Sequence, residues 1–176
     1  QQRPAADPNP WRVRKAPRGI VHGRQRFVRA HVALRLILSR YCGLQPRDLH
    51  YVVGSHGRPA LAAGEHRHPD FNMSHTADWA LVGVRREARI GVDIEVVKAV
   101  PEWRQIAETH FTPRETELLS AMPEADRTAA FTLCWTRKEA LAKATGEGLS
   151  TGLRRFEVAV EKDVRPAVRS VDGSPR

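Results

Sequence analysis

The chain has 176 residues, 41% of them hydrophobic and 28% charged, the composition of a soluble globular protein with one good-sized core or two small lobes. No apolar run approaches the ~20 residues a membrane span requires, and no charged-then-apolar leader is visible, so no signal peptide is expected. Lys and Arg number 29 against 20 Asp and Glu, a net charge of +9; this favours a polyanionic partner (nucleic acid, membrane surface, phosphorylated cofactor or acidic protein) without choosing among them. Two cysteines, Cys42 and Cys134, both in apolar helical stretches, are too few for a disulfide framework and read as free thiols in a reducing cytoplasm.

In chain order, residues 1–19 are Pro- and Arg-rich and irregular, with a short helical turn expected near "WRVRKA". From Gln25 to Tyr41 the residues Phe27, Ala30, Leu34, Ile37, Leu38 and Tyr41 fall at helical spacing, with Arg26, Arg29 and Arg35 on the other side. "LHYVVGSHGRPAL" predicts a strand, a turn at Gly57 and Pro59, and a second extended segment. Polar "NMSHTAD" leads into a strand over "WALVGV". "RREARI" then turns the chain into a further strand, "IGVDIEVV", and the last two are expected to pair as a hairpin. Helices follow over "WRQIAETHF", "TPRETELLSAM" and "DRTAAFTLCWTRKEALAKATGEG". The second carries a capping box, with Thr112 as N-cap, Pro113 at the first position and Glu115 three residues on. The third is closed by Gly146 and Gly148. "RRFEVAVEKDV" returns to strand alternation, and "SVDGSPR" reads as a loop, with no final strand pair evident. Strand pairs flanked by helices, in two successive groups, predict an α+β fold of two lobes, residues 1–100 and 101–176.

In "IGVDIEVV", strand alternation puts Ile90, Val92, Ile94 and Val96 on one face and Gly91, Asp93 and Glu95 on the other. The two carboxylates then stand ~7 Å apart at Cα. Like charges so close repel, and a hard divalent cation such as Mg²⁺ would relieve them; a solvated strand face meeting water or Arg explains the pattern equally well. On the long helix Trp135, Glu139 and Lys143 share a face at i, i+4 and i+8. That is either a surface Glu–Lys pair of ~0.3–0.5 kcal/mol, or a third carboxylate for the ion and a lysine for an anion. Ser74 and His75 lie at a loop-to-strand junction, able to bind phosphate oxygens. In "GRP", Gly57 permits close backbone approach and Arg58 offers a phosphate fork beside Pro59.

Taken in order, "HGRPAL", "FNMSHT", "IGVDIE", "FTPRETELL" and "WTRKEALAKATGEGL" resemble the 4′-phosphopantetheinyl transferase superfamily, in its single-chain, two-lobe, surfactin-synthetase-activating type. The resemblance runs from about Arg14 to Phe156. It implies two pseudo-symmetric lobes, each a small antiparallel sheet packed on helices. The implied activity moves the 4′-phosphopantetheine arm of coenzyme A onto a serine of an apo acyl or peptidyl carrier protein, releasing adenosine 3′,5′-bisphosphate. Asp93, Glu95 and Glu139 would hold Mg²⁺. Arg14, Gly57, Arg58, Pro59, Asn72, Ser74 and His75 would line the coenzyme A site. Lys143, with Lys138 as a second candidate, would neutralise the pyrophosphate, and Glu139 would serve as base. The implied partner is an acidic carrier, which fits the charge of +9, and the enzyme would be a cytoplasmic monomer. Two other readings compete. A metal-dependent phosphodiesterase or nuclease would use the same three carboxylates to hydrolyse. A basic nucleic-acid-binding module would need aromatic residues among its Arg clusters, and aromatics are only 6% of the chain, mostly at core spacing.

Overall fold

A computed structural model describes residues 21–54, 57–62, 68–146, 152–161 and 168–175. The expected turn near "WRVRKA", Arg14 and Gly148 lie outside the described residues. Among the described residues the α-helices are α1 (Val21–Cys42), α2 (Trp103–His110), α3 (Pro113–Ala121) and α4 (Glu124–Thr145). The described strands form small sheets: β1 (Tyr51–Val53) with β2 (Pro59–Leu61), β3 (Asp70–Thr76) with β4 (Trp79–Arg85), and β5 (Phe156–Val158), β6 (Val168–Val171) and β7 (Ser174–Pro175) in that order. The class is α+β, as expected. The chain divides into two compact units, Gln1–Met73 with Val82–Ile90, and Ser74–Leu81 with Gly91–Arg176. The division therefore falls before Gly91 rather than at residue 100, and the tip of the β3–β4 hairpin counts with the second unit.

In the first unit, α1 buries Ala30, Leu34 and Leu38, and Leu34 and Leu38 pack with Leu49 and Phe71. Tyr41, expected in the core, is exposed with the Arg86 guanidinium over its ring. Arg35, expected on the basic flank, turns inward and donates to the carbonyls of Pro46 (2.5 Å) and Leu49 (3.1 Å). β1 and β2 pair antiparallel, Tyr51 opposite Leu61, with Gly57 in the left-handed region (φ 76°) at their connection.

Two expectations about strands are corrected. The partner of β4 is β3, through a turn at Ala77 and Asp78, so Ser74 and His75 are strand residues rather than a junction. Residues 90–97 form no strand. Their Val and Ile side chains do not share a buried face either, because Val96 and Val97 are exposed. The apparent loop at the C-terminal end is a hairpin: β6 and β7 pair antiparallel across Asp172 and Gly173, both at positive φ. An Asp-Gly pair is a strong turn signal, muted here by the shortness of its flanking strands.

The second unit is organised around a buried ion pair. The capping box forms as expected: Thr112 Oγ1 accepts from Glu115 N–H, and Glu115 Oε2 accepts from Thr112 N–H at 2.7 Å. Glu115 is fully buried, and it also accepts from Val158 N–H on β5 (2.8 Å) and pairs with Lys138 Nζ on α4 (2.7 Å). Lys138 in turn donates to the carbonyls of Leu153 (2.9 Å) and Phe156. Every proton of the ammonium is thereby used, which is what makes a charge tolerable at 0% exposure. Around the pair pack Ala107, Phe111, Leu119, Phe131, Cys134, Val158 and Val160. α4 ends at Gly146 in the left-handed conformation (φ 77°), its N–H returning to Ala142 O.

Lys138→Met and Glu115→Ala should each destabilise the second unit by about 3–5 kcal/mol, since each strands a buried charge. The double variant should lose less than the sum, because its second substitution strands nothing; denaturant titration of all three checks this, and strict additivity would contradict it.

Candidate active site

Gly91 fixes where the acidic segment lies. A Cβ on Gly91 would sit 1.9 Å from Ala140 O and 2.4 Å from Ala144 N, so the backbone of this segment rests directly on that of α4. A side chain at 91 would force the two apart. The segment is tied on its other side by side chains rather than a backbone ladder. Ser74 Oγ donates to Asp93 Oδ1 (2.8 Å) and Thr76 Oγ1 donates to Glu95 Oε2 (3.1 Å). Donors two residues apart on β3 meet acceptors two residues apart on the segment. Alternation therefore survives where the strand does not.

Contact with α4 brings the expected residues together. Lys143 Nζ lies 2.5 Å from Asp93 Oδ1 and 3.9 Å from Glu139 Oε2. Glu139 is buried, and that burial pushes its carboxyl above the ordinary value of 4.5; Lys143 opposes the rise, while Asp93 and Glu95 add to it. Four of the predicted residues (Asp93, Glu95, Glu139 and Lys143) thus form one electrostatic cluster, with Ser74 hydrogen-bonded to it. Asp93 Oδ2 is buried and has no hydrogen-bond partner among the described residues. A buried carboxylate oxygen with nothing to accept is costly, and a hard cation is the ligand that suits it. The donor set of three carboxylates matches Mg²⁺, although no three acidic, imidazole or thiol groups among the described residues stand grouped closely enough to hold an ion as they are. Beside Glu95 a cavity of about 210 Å³ opens, lined by Val96, Ile106, Phe131, Thr132 and Trp135.

Other predicted residues take different places. His75 is exposed on β3. Gly57, Arg58, Pro59 and Asn72 belong to the first unit. There Arg58 Nη2 donates to Asp70 Oδ2 (2.6 Å), Phe71 O (3.1 Å) and Ile90 O (2.9 Å), and Asp70 Oδ2 also accepts from Ile90 N–H. Arg58 thus uses that end of its guanidinium to fix the residue just before Gly91, rather than holding it out as a phosphate fork. Asn72 is buried. Lys138, the second lysine candidate, is corrected outright: it is walled into the core on Glu115. The sequence reading missed Thr76 and Asp70; the matched two-residue spacing of Ser74–Thr76 and Asp93–Glu95 was the available signal for the first, and nothing local marked the second.

The family model of the 4′-phosphopantetheinyl transferase superfamily matches residues 89–175, the stretch that carries the whole carboxylate and lysine cluster. Slr0495 of Synechocystis sp., provisionally named a 4′-phosphopantetheinyl transferase, is 37% identical over 75% of this chain and 54% of its own length. The 4′-phosphopantetheinyl transferase HetI of Nostoc sp. is 35% identical over 78% of this chain and 58% of its own. The 4′-phosphopantetheinyl transferase psf-1 of Bacillus pumilus is 31% identical over 84% and 61%. The chain belongs to the 4′-phosphopantetheinyl transferase superfamily. It spans between half and two thirds of the length of these relatives. Among the described residues, no helix is long and apolar enough to cross a membrane.

The sign of the Glu139 shift sets a test. Because burial disfavours its charged form, ionised Glu139 costs stability at neutral pH, and that cost vanishes as pH falls from its raised pKa through 4.5. Glu139→Gln should therefore be more stable than the parent at pH 7, with the gain fading in acid. Thermal denaturation across pH reads this; a destabilised Gln variant at pH 7 would show instead that Glu139 is held by favourable partners.

Proposed function

We propose that the protein transfers the 4′-phosphopantetheine group of coenzyme A to a serine of an apo acyl or peptidyl carrier protein. It would be a transferase of the single-chain, two-lobe type. The observation that supports this most is the Asp93, Glu95, Glu139 and Lys143 cluster, standing on the family's motifs with a buried Asp93 oxygen that lacks a partner. Asp93, Glu95 and Glu139 are the residues that would hold Mg²⁺, which when bound supplies charge neutralisation for the coenzyme A pyrophosphate. Lys143, partly exposed at 30%, is the one cation of the cluster able to reach an anionic phosphate.

The carrier serine oxygen attacks the phosphorus next to the pantetheine arm. The bond from that phosphorus to the bridging oxygen breaks, and adenosine 3′,5′-bisphosphate leaves with the bonding electrons. The serine proton must go to a base. Glu139 suits that role by its place in the cluster, and as a residue that would also hold the cation it would take the proton through a water. Lys143 stabilises charge as it builds on the leaving phosphate. The cavity from Glu95 to Trp135 gives the slender arm an apolar wall. An excess of nine positive charges would steer an acidic carrier to the site. Ser74 orients Asp93, and His75, on the same strand, would contribute to the coenzyme A site by resemblance to the family. The two free thiols, Cys42 and Cys134, suit a reducing cytoplasm.

The test is to incubate the protein with coenzyme A, Mg²⁺ and an apo carrier and to weigh the carrier by mass spectrometry. A gain of one phosphopantetheine arm, lost on removal of Mg²⁺ by chelation and in Asp93→Ala, is the expected result. No gain on any of several carriers, together with hydrolysis of a nucleic acid or phosphodiester, would transfer the site to the hydrolase reading.

A further inference from the structure

The contact that defines the cluster also sets a competition. Lys143 Nζ sits 2.5 Å from Asp93 Oδ1, and Asp93 is 5% exposed at its side chain against 30% for Lys143. The same Nζ lies 3.9 Å from Glu139 Oε2. One oxygen of Asp93 thus accepts from both Ser74 and Lys143, while the other has no hydrogen-bond partner among the described residues. An ammonium and a divalent cation drawn to the same carboxylates repel each other across a poorly solvated space. Asp93 is anchored by Ser74 and by a backbone pressed onto α4 at Gly91, so it has little freedom to turn toward a different cation. Lys143 has a flexible four-carbon stem and partial exposure, so it is the partner that moves.

We propose that Lys143 is a built-in counter-ion of Asp93 that a divalent cation must displace, and that its release toward an anionic phosphate couples cation binding to phosphate binding. The proposal rests on the metal-binding part of the function proposed above and names its regulation. Cation alone binds weakly, because it must evict Lys143 into water. Cation with a pyrophosphate-bearing ligand binds better, because the evicted ammonium gains a new anionic partner. Coupling of this kind is reciprocal, so the cation improves affinity for the phosphate ligand by the same factor. A site of this design is slow to fill with stray cation and fills when both ligands arrive.

The experiment measures Mn²⁺ binding by electron paramagnetic resonance in the parent, Lys143→Met and Lys143→Arg, with and without coenzyme A, alongside circular dichroism to confirm folding. Lys143→Met should bind Mn²⁺ alone roughly three- to tenfold more tightly than the parent, and coenzyme A should improve its Mn²⁺ affinity less. Lys143→Arg, which keeps the charge, should stay close to the parent in Mn²⁺ affinity. Unchanged or weaker Mn²⁺ binding in Lys143→Met would overturn the proposal. Failure of Mn²⁺ to bind any of the three would overturn it together with the metal reading. Tighter binding in Lys143→Met, in a parent that modifies no carrier, would uphold this proposal while removing the transfer reaction.

Discussion

The buried pair of Glu115 and Lys138 is the interaction on which the second unit depends. Two charges at 0% exposure are tolerable only because every polar atom finds a partner. Glu115 takes the N-terminus of α3, the backbone of β5 and the ammonium of Lys138; Lys138 takes two further carbonyls. The pair is directional, unlike the apolar contacts around it, and so it fixes how α4 is rotated as well as where it lies. The next residue on the helix is Glu139, about 100° away around the axis. Anchoring Lys138 inward thereby turns Glu139 and, one turn on, Lys143 toward the acidic segment.

Gly91 is the second half of that arrangement. Its missing Cβ lets the segment rest on the α4 backbone, and only at that distance does Lys143 reach Asp93. The resulting cluster is locally unfavourable. Three carboxylates meet one lysine, Glu139 is pushed toward its neutral form, and an Asp93 oxygen is left without a partner among the described residues. A fold that keeps such a cluster offsets it with a rigid surround, here the Glu115–Lys138 anchor and the aromatic packing of Phe111, Phe131 and Trp135. Perturbed, under-satisfied groups held on rigid elements are what an active site looks like in physical terms.

How much of this was legible in the sequence depended on how local its cause was. Helices α2 to α4 and their ends could be read, because Thr112, Pro113, Glu115 and Gly146 act within a few residues of themselves. The cluster could be read as well, since the i, i+4 spacing of Glu139 and Lys143 and the alternation of Asp93 and Glu95 are simple periodicities. What escaped was decided by distant neighbours. Residues 90–97 have strand composition, but their ties run through Ser74, Thr76 and the α4 backbone instead of through a ladder. Lys138 and Lys143 look alike in sequence, and only the burial of Glu115 separates the lysine walled into the core from the one that meets Asp93. Arg58 offered a fork to phosphate until Asp70 and Ile90 supplied its partners. "SVDGSPR" hid a hairpin because its strands are too short to show alternation.

The packed position of α4 against Gly91 creates the Asp93–Lys143 pair. A double-mutant cycle of Asp93→Asn and Lys143→Met, run by denaturant titration in the parent and again in Gly91→Ala, measures that link directly. The coupling should be about 1–2 kcal/mol in the parent and fall toward zero in Gly91→Ala, where the added Cβ forces helix and segment apart. An equal coupling in both backgrounds would contradict that link.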